Sequence, residues 1–181
     1  MFKTDTAVPG LSLVLANVQH ADALFQLVDR NRTYLRQWLP WLDHNTQVDD
    51  SEHFLRGCQS SFASQSALNT LIFFQEDLIG TVGYNSINHA NHDAEIGYWM
   101  SEDATGRGFM TEAVRTLIAL GFQEYGLNRQ VIRAATGNRP SRAVAERLGF
   151  THEGCARQAG YQYGEYHDLE IYSLLKSEWQ K

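Results

Sequence analysis

Two cysteines, Cys58 and Cys155, are all that the 181 residues contain. They are too few for a disulfide framework and suit a reducing compartment. No apolar run approaches the length of a membrane span, and the chain does not open with a basic segment followed by a long apolar one. The expected location is therefore the cytoplasm, with no membrane partner. Only three prolines occur, and no repeat, low-complexity run or linker rich in Pro, Gly and Ser divides the chain. A single domain over 1–181 is expected, and 43 % apolar residues suffice for a substantial core. Positive charge is in deficit: 15 basic against 21 acidic side chains leave a net −6, the opposite of a direct nucleic-acid binder. His89 and His92 have a metal-like spacing, but no further ligands cluster near them in the sequence, so a polar loop and no metal are expected.

What is present is a glycine-rich turn, Thr105-Gly106-Arg107-Gly108-Phe109-Met110-Thr111-Glu112. Ala94 to Met100 before it alternates like a strand. After it Met110, Ala113, Val114, Leu117, Ile118 and Gly121 recur on one helical face. Such a turn leaves main-chain N–H groups unpaired at a helix start, where the helix dipole adds partial positive charge; phosphate oxygens fit there. The glycines permit positive φ and close approach of the anion. A mononucleotide P-loop is excluded because no Gly-x-x-x-x-Gly-Lys-Ser/Thr exists. The dinucleotide fingerprint also fails, since its third glycine is replaced by Thr111.

A second block follows thirty residues later, from Asn138 through Pro140, Ser141 and an Arg-rich helix to Leu148-Gly149-Phe150. Asn138 suits an N-cap, Pro140 a first turn and Gly149 a left-handed stop. An ordinary capped helix would account for these features alone.

In this order and spacing the two blocks resemble the GNAT superfamily of acetyl-CoA-dependent N-acetyltransferases. Thr105 to Met110 aligns with that family's pyrophosphate loop, with Thr105 in place of the usual Arg or Gln and Met110 in place of a small residue. The Asn138 block aligns with its Asn-x-x-Ala/Ser helix. Arg32 to Trp41, Ala94 to Trp99 and Gly164 to Asp168 resemble the branch that acetylates ribosomal-protein N-termini, the Rim-type alanine/serine N-acetyltransferases. The resemblance covers nearly the whole chain. It implies acetyl-CoA as co-substrate, held by Met100, Thr105, Gly106, Arg107, Gly108, Phe109, Met110, Thr111, Asn138 and Ser141. It also implies an acceptor site bordered by Arg32, Trp38 and Trp41, and a homodimer.

The hydrophobic pattern predicts a strand at 11–16, helices at 21–37 and 50–64, and a hairpin of 71–74 with 78–84. Strands at 93–101 and 130–136 flank the glycine-turn helix, and two more near 150–158 and 167–175 follow the Asn138 helix. The expected class is α+β: a GNAT-like, mixed but mostly antiparallel central sheet flanked by helices. Residues 107–157 hold eight of the basic but only four of the acidic side chains, so the remainder carries about −10. The basic stretch suits coenzyme phosphates; the acidic remainder suits a cationic amine or a basic protein.

Acetyl transfer to an amine needs a base, an oxyanion donor and a proton for the thiolate. Glu95 is the candidate base, directly or through water, matching a glutamate of some GNAT enzymes; facing solvent or pairing with an arginine is its alternative. Ser141 is the candidate to protonate or hydrogen-bond the leaving sulfur, and the tyrosine that many members of the resembling family carry four residues later is Ala145 here; a plain first-turn serine is its alternative. The resemblance assigns the oxyanion donor to an N–H near Met100 and pantetheine contact to Asn138. Trp38 and Trp41 either sandwich the acceptor or pack a helix end. Cys155 is expected to be a packed or half-exposed thiol, with His152 on the opposite strand face. The acceptor is a protein α-amine or a small amine such as a polyamine, amino acid or antibiotic; a non-catalytic acyl-CoA-binding module is the remaining reading.

Overall fold

The computed structural model describes residues 3–179. Eight strands form one sheet: β1 (Lys3–Asp5), β2 (Leu11–Leu15), β3 (Leu68–Phe74), β4 (Asp77–Asn88), β5 (Asp93–Met100), β6 (Arg129–Ala135), β7 (Thr151–Gln162) and β8 (Glu165–Leu175). Their order is β1-β2-β3-β4-β5-β6-β8-β7. Every neighbouring pair is antiparallel except β5 and β6. The mixed, mostly antiparallel sheet is thus the one expected, and the helices cover both of its faces.

The β5–β6 connection is α4 (Phe109–Gln123), the crossover that a parallel pair requires. Its buried face comprises Phe109, Ala113, Val114, Leu117, Ile118, Gly121 and Phe122. Gly121 is a close-approach position: an added Cβ would run into the Tyr84 hydroxyl. That buried hydroxyl lies 2.8 Å from both the Leu117 carbonyl and Gln130 Oε1, pinning the helix to the sheet. Truncating Leu117 to alanine would cost about 2–5 kcal/mol. Next comes α5 (Arg139–Arg147), which buries Val144 and Ala145 against the same core.

The opposite face carries α1 (Ala21–Arg30) and α3 (Val48–Ala63), packed through Leu24, Leu27, Leu55 and Cys58 onto Leu71. The expected helix over 21–37 is in fact broken at Asn31, leaving a short α2 (Arg32–Arg36). Asn31 Nδ2 donates back to the Leu27 carbonyl (2.9 Å), and its Oδ1 accepts the Glu102 N–H (2.9 Å). The side chain thus competes with the helical ladder, a contest invisible to apolar periodicity. A 3-10 turn, Pro40–His44, then leads to α3. That helix starts before the expected 50, because Asp50 is its third residue, closing a capping box with Gln47. Phe54, on this helix, is exposed.

Two hairpins are longer than expected. The β3–β4 ladder runs from Leu68 to Tyr84. The β7–β8 hairpin reaches a turn at 163–164, with a register shift between Ala156 and Gly160 that alternation could not reveal. Another shift between His152 and Gly154 reverses parity, placing Cys155 on the face of His152 rather than the opposite one. The imidazole is already engaged by Glu170 at 2.6 Å. Among the described residues no helix is long and apolar enough to cross a membrane.

Candidate active site

Strand parity distributes the site between the two faces. In β5, Ala94, Ile96 and Met100 belong to the core under α4, with Tyr98 packed against it, while Trp99 packs with the clusters under α1 and α3. Glu95 shares the parity of Trp99. The parallel ladder joins Asp93–Ile96 to Arg129–Ile132 and goes no further. Beyond Ile96 and Ile132 the two strands part. Ser101 N–H donates to Ile79 on β4 (2.8 Å), so alternation turns the Met100 N–H toward the gap.

The glycine turn lies beside that gap. Gly106 and Gly108 have φ of 74° and 79°, the left-handed region that glycine enters freely. Thr105 Oγ1 closes the preceding turn by donating to the Glu102 carbonyl (2.7 Å). Among the described residues no protein acceptor meets the amides of residues 106–111; the first engaged one is Glu112, bonded to Gly108 O at 3.1 Å. These open donors head a fifteen-residue helix and fit a diphosphate. A cavity of about 610 Å³ adjoins them, bordered by Met100, Thr105, Gly106, Gly108, Phe109, Met110 and Thr111.

The side chain of Arg107 does not border this cavity. Its guanidinium stacks on Phe74 and Phe109, 4.9 and 4.4 Å from the ring centroids; only its amide remains available at the turn. The nearer cation is Arg147, which borders the cavity and donates from Nε to Thr111 Oγ1 (3.2 Å). Sequence reading missed it, since one arginine among several in α5 carried no distinguishing mark.

A second cavity of about 780 Å³ lies on the α1–α3 side, with Glu95, Trp38 and Trp41 in its wall. Glu95 is 3.8 Å from Arg133, so its carboxylate both faces the cavity and pairs with an arginine. Trp41 tilts against Trp99, centroids 6.1 Å apart. Arg32 borders neither cavity. Its guanidinium donates to the Leu42 and Asn45 carbonyls (2.7 and 2.8 Å) and pairs with Asp29. It fastens α2 to the 3-10 turn, so the structure places this residue outside the wall of the cavity it was expected to border.

Six side chains border both cavities: Trp38, Leu39, Tyr98, Trp99, Asn138 and Ser141. Asn138 Oδ1 caps α5 by accepting the Ser141 N–H (3.2 Å). Ser141 Oγ donates to Tyr98 Oη (3.2 Å), and that phenol donates to the Ser141 carbonyl (2.8 Å). Burial pushes the Tyr98 hydroxyl up to about 12, so it stays a neutral partner. No tyrosine follows Ser141 in its own helix, but β5 supplies one from 43 residues away.

A strand gap between two cavities, with free helix-start amides on one side and a carboxylate on the other, is the architecture of an acyl-CoA-dependent acyltransferase. The acetyltransferase (GNAT) domain model matches residues 11–151, and the chain belongs to that family of N-acetyltransferases. It is 33 % identical over 175 residues to the ribosomal-protein-serine acetyltransferase of Escherichia coli (strain K12), covering 97 % of this chain and 98 % of that one. Among solved structures it resembles RimL, the ribosomal L7/L12 alpha-N-protein acetyltransferase in complex with coenzyme A. The TM-score is 0.91 at 33 % identity, over 94 % of this chain and 97 % of that one. It also resembles the microcin C7 self-immunity acetyltransferase MccE, in complex with acetyl-CoA and AMP. There the TM-score is 0.88 at 28 % identity, over 93 % of each chain.

Proposed function

We propose that this N-acetyltransferase moves the acetyl group of acetyl-CoA onto the N-terminal α-amine of a ribosomal protein, by direct attack in a ternary complex in the cytoplasm. The observation that carries this reading is the meeting of the two cavities at the β5–β6 gap, with Ser141 in their shared wall. The amides of Gly106 to Thr111 hold the diphosphate and Arg147 adds charge beside it. Asn138 and Ser141 meet the arm that ends in the thioester, which supplies the activated acetyl group.

This chain's residues do the rest. Glu95 takes the ammonium proton, directly or through water. The Met100 N–H faces the charge that develops on the carbonyl oxygen. Ser141 Oγ–H, released from its long bond to Tyr98, is placed to meet the departing sulfur. An α-amine with pKa near ~8 is about a tenth neutral at pH 7, so a modest base is sufficient.

A protein acceptor is favoured by the surface. Among the described residues the exposed large apolar side chains are Trp41, Phe54, Tyr161, Tyr163 and Tyr166. Trp41, Phe54 and Tyr161 border the 780 Å³ cavity. Tyr166 lies 4.9 Å from Tyr161 across the hairpin, and Tyr163 sits under Arg36 at its tip. A small amine would be enclosed by the cavity and would have no use for such a rim; a polypeptide arriving end first would lie across it. Mass spectrometry of cellular N-termini, with and without the gene, tests the proposal. Loss of acetylation at a ribosomal-protein N-terminus is expected, and unchanged acetylation of every N-terminus would refute it.

A further inference from the structure

Of the six side chains shared by the two cavities, Trp38 is the large one that stands apart from the buried apolar clusters. Leu39 and Trp99 pack into the cluster of Val28, Leu35 and Leu42, and Tyr98, Asn138 and Ser141 are tied to one another. Trp38 joins none of the buried apolar clusters among the described residues. Its ring reaches from the end of α2 to the β6–α5 turn, where it meets Gly137. A Cβ added there would sit 3.6 Å from Trp38 Cη2 and 4.0 Å from Cζ3.

The segment carrying the ring is held in place. Trp38 N–H donates to Leu35 O (3.0 Å). The adjoining Gln37 carbonyl accepts Gln162 Nε2 (2.9 Å), and Arg36 forks onto Asp43 (2.7 and 2.8 Å) while covering the Tyr163 ring. Trp38 is therefore a fixed wall standing where one cavity opens into the other.

We propose that Trp38, backed by Gly137, is the gauge of acyl length: it leaves room for an acetyl group at the crossing and rejects longer acyl chains. The inference rests on the reading that acyl-CoA occupies the 610 Å³ cavity, because the acyl group must then pass this ring to meet an amine from the other side. Every methylene beyond acetyl competes with the indole for the same volume, and pockets of this kind discriminate by about 10–200-fold per methylene.

The test compares kcat/KM for acetyl-, propionyl- and butyryl-CoA with one fixed N-terminal peptide. Trp38→Ala should raise the propionyl-to-acetyl ratio about 10-fold or more, with the inhibition constant of free coenzyme A unchanged. Trp38→Phe should give a smaller rise and covers the case in which the alanine variant fails to fold. Gly137→Leu should lower the ratio by pressing the ring into the crossing; Gly137 does not have a positive φ, so the backbone accepts the side chain. An unchanged ratio in a folded Trp38 variant of an active enzyme overturns this inference alone. Absence of thiol release by the wild-type protein with every thioester overturns the parent reading, and the inference with it.

Discussion

The two halves of the site are built from different materials. The coenzyme side is nearly local: strand, turn and helix run consecutively from 93 to 123, α5 follows within the next stretch, and most of the donors are main-chain amides. The acceptor side is assembled from side chains of α1, Trp38 and Leu39, the 3-10 turn, α3, β5 and the β7–β8 hairpin, clasped by a Gln162–Gln37 bond spanning 125 residues. Amides persist whatever side chain a position carries, which is why Thr105 and Met110 can depart from the family pattern without closing the turn. An acceptor pocket made of side chains can be rebuilt one residue at a time. RimL and MccE both superpose on this chain, with TM-scores of 0.91 and 0.88, although one acts on ribosomal L7/L12 and the other was captured with AMP.

Ser141, in the wall between the halves, gives the largest expected effect. Ser141→Ala should lower kcat about 10²-fold with little change in either KM, the usual scale of a positioned general acid. Saturating thiol-release kinetics measure it, and wild-type turnover would reduce Ser141 to a helix residue. Tyr98→Phe removes the hydroxyl that accepts the Ser141 proton and donates to the Ser141 carbonyl. Its loss should be smaller, and largely absent in an enzyme already lacking Ser141.

Glu95 tests the acceptor half. Glu95→Gln should lower turnover on a peptide amine about 10-fold or more near pH 6.5, where only a few per cent of an α-amine of pKa ~8 is neutral. The deficit should shrink as pH rises above ~8 and the amine deprotonates unaided. A deficit constant across pH would mean that the Arg133 pair is structural and that the base lies elsewhere.

A crossed pair of substitutions sharpens the division. Gly108 has open space around the position of a Cβ, so Gly108→Ala costs backbone strain alone, about 1–2 kcal/mol. Because it bends the amide turn, KM for acetyl-CoA should rise several-fold while KM for the peptide holds. Gln162→Ala, which unclasps the hairpin from α2, should do the reverse. Steady-state titration of both substrates decides it; if both variants moved both constants, the halves would not be separable.

This division also explains what the sequence disclosed. The turn, the face of α4, the Asn138 cap and the sheet class were legible because each is written in consecutive residues. Arg107, Arg32 and Tyr98 were not. Arg107 leaves the phosphate side for two phenylalanine rings, one of them on β3, and Arg32 is claimed by carbonyls ten and thirteen residues away. Tyr98 gains its meaning only when α5 folds over β5. The break at Asn31 depends likewise on an amide 71 residues distant. Periodicity reports which face is buried; it does not report what a polar side chain will meet there.

The smallest expected effect lies outside both halves and serves as their control. Arg129 on β6 and Glu153 on β7 form a bidentate pair at 2.6 Å, with Ser173 Oγ donating to the same carboxylate (2.7 Å). Chiefly the Arg129 hydrogen bonds, and then that from Ser173, hold Glu153 down to about 2 against an ordinary 4.5. A depressed carboxylate stabilises the fold at pH above its unfolded value and loses that contribution as pH falls through its folded one. Its side chain is 37 % exposed, so solvent screening limits the gain to about 1 kcal/mol. Glu153→Gln should therefore unfold more readily at pH 7 by about that amount, and the gap from wild type should close between pH 4.5 and 2. Denaturant titrations at several pH values measure it. Both KM values and kcat at pH 7 should be unaltered, because neither residue borders either of the two cavities; a kinetic change here would show that the sheet edge communicates with the gap, and that fold and site are less independent than the two cavities imply.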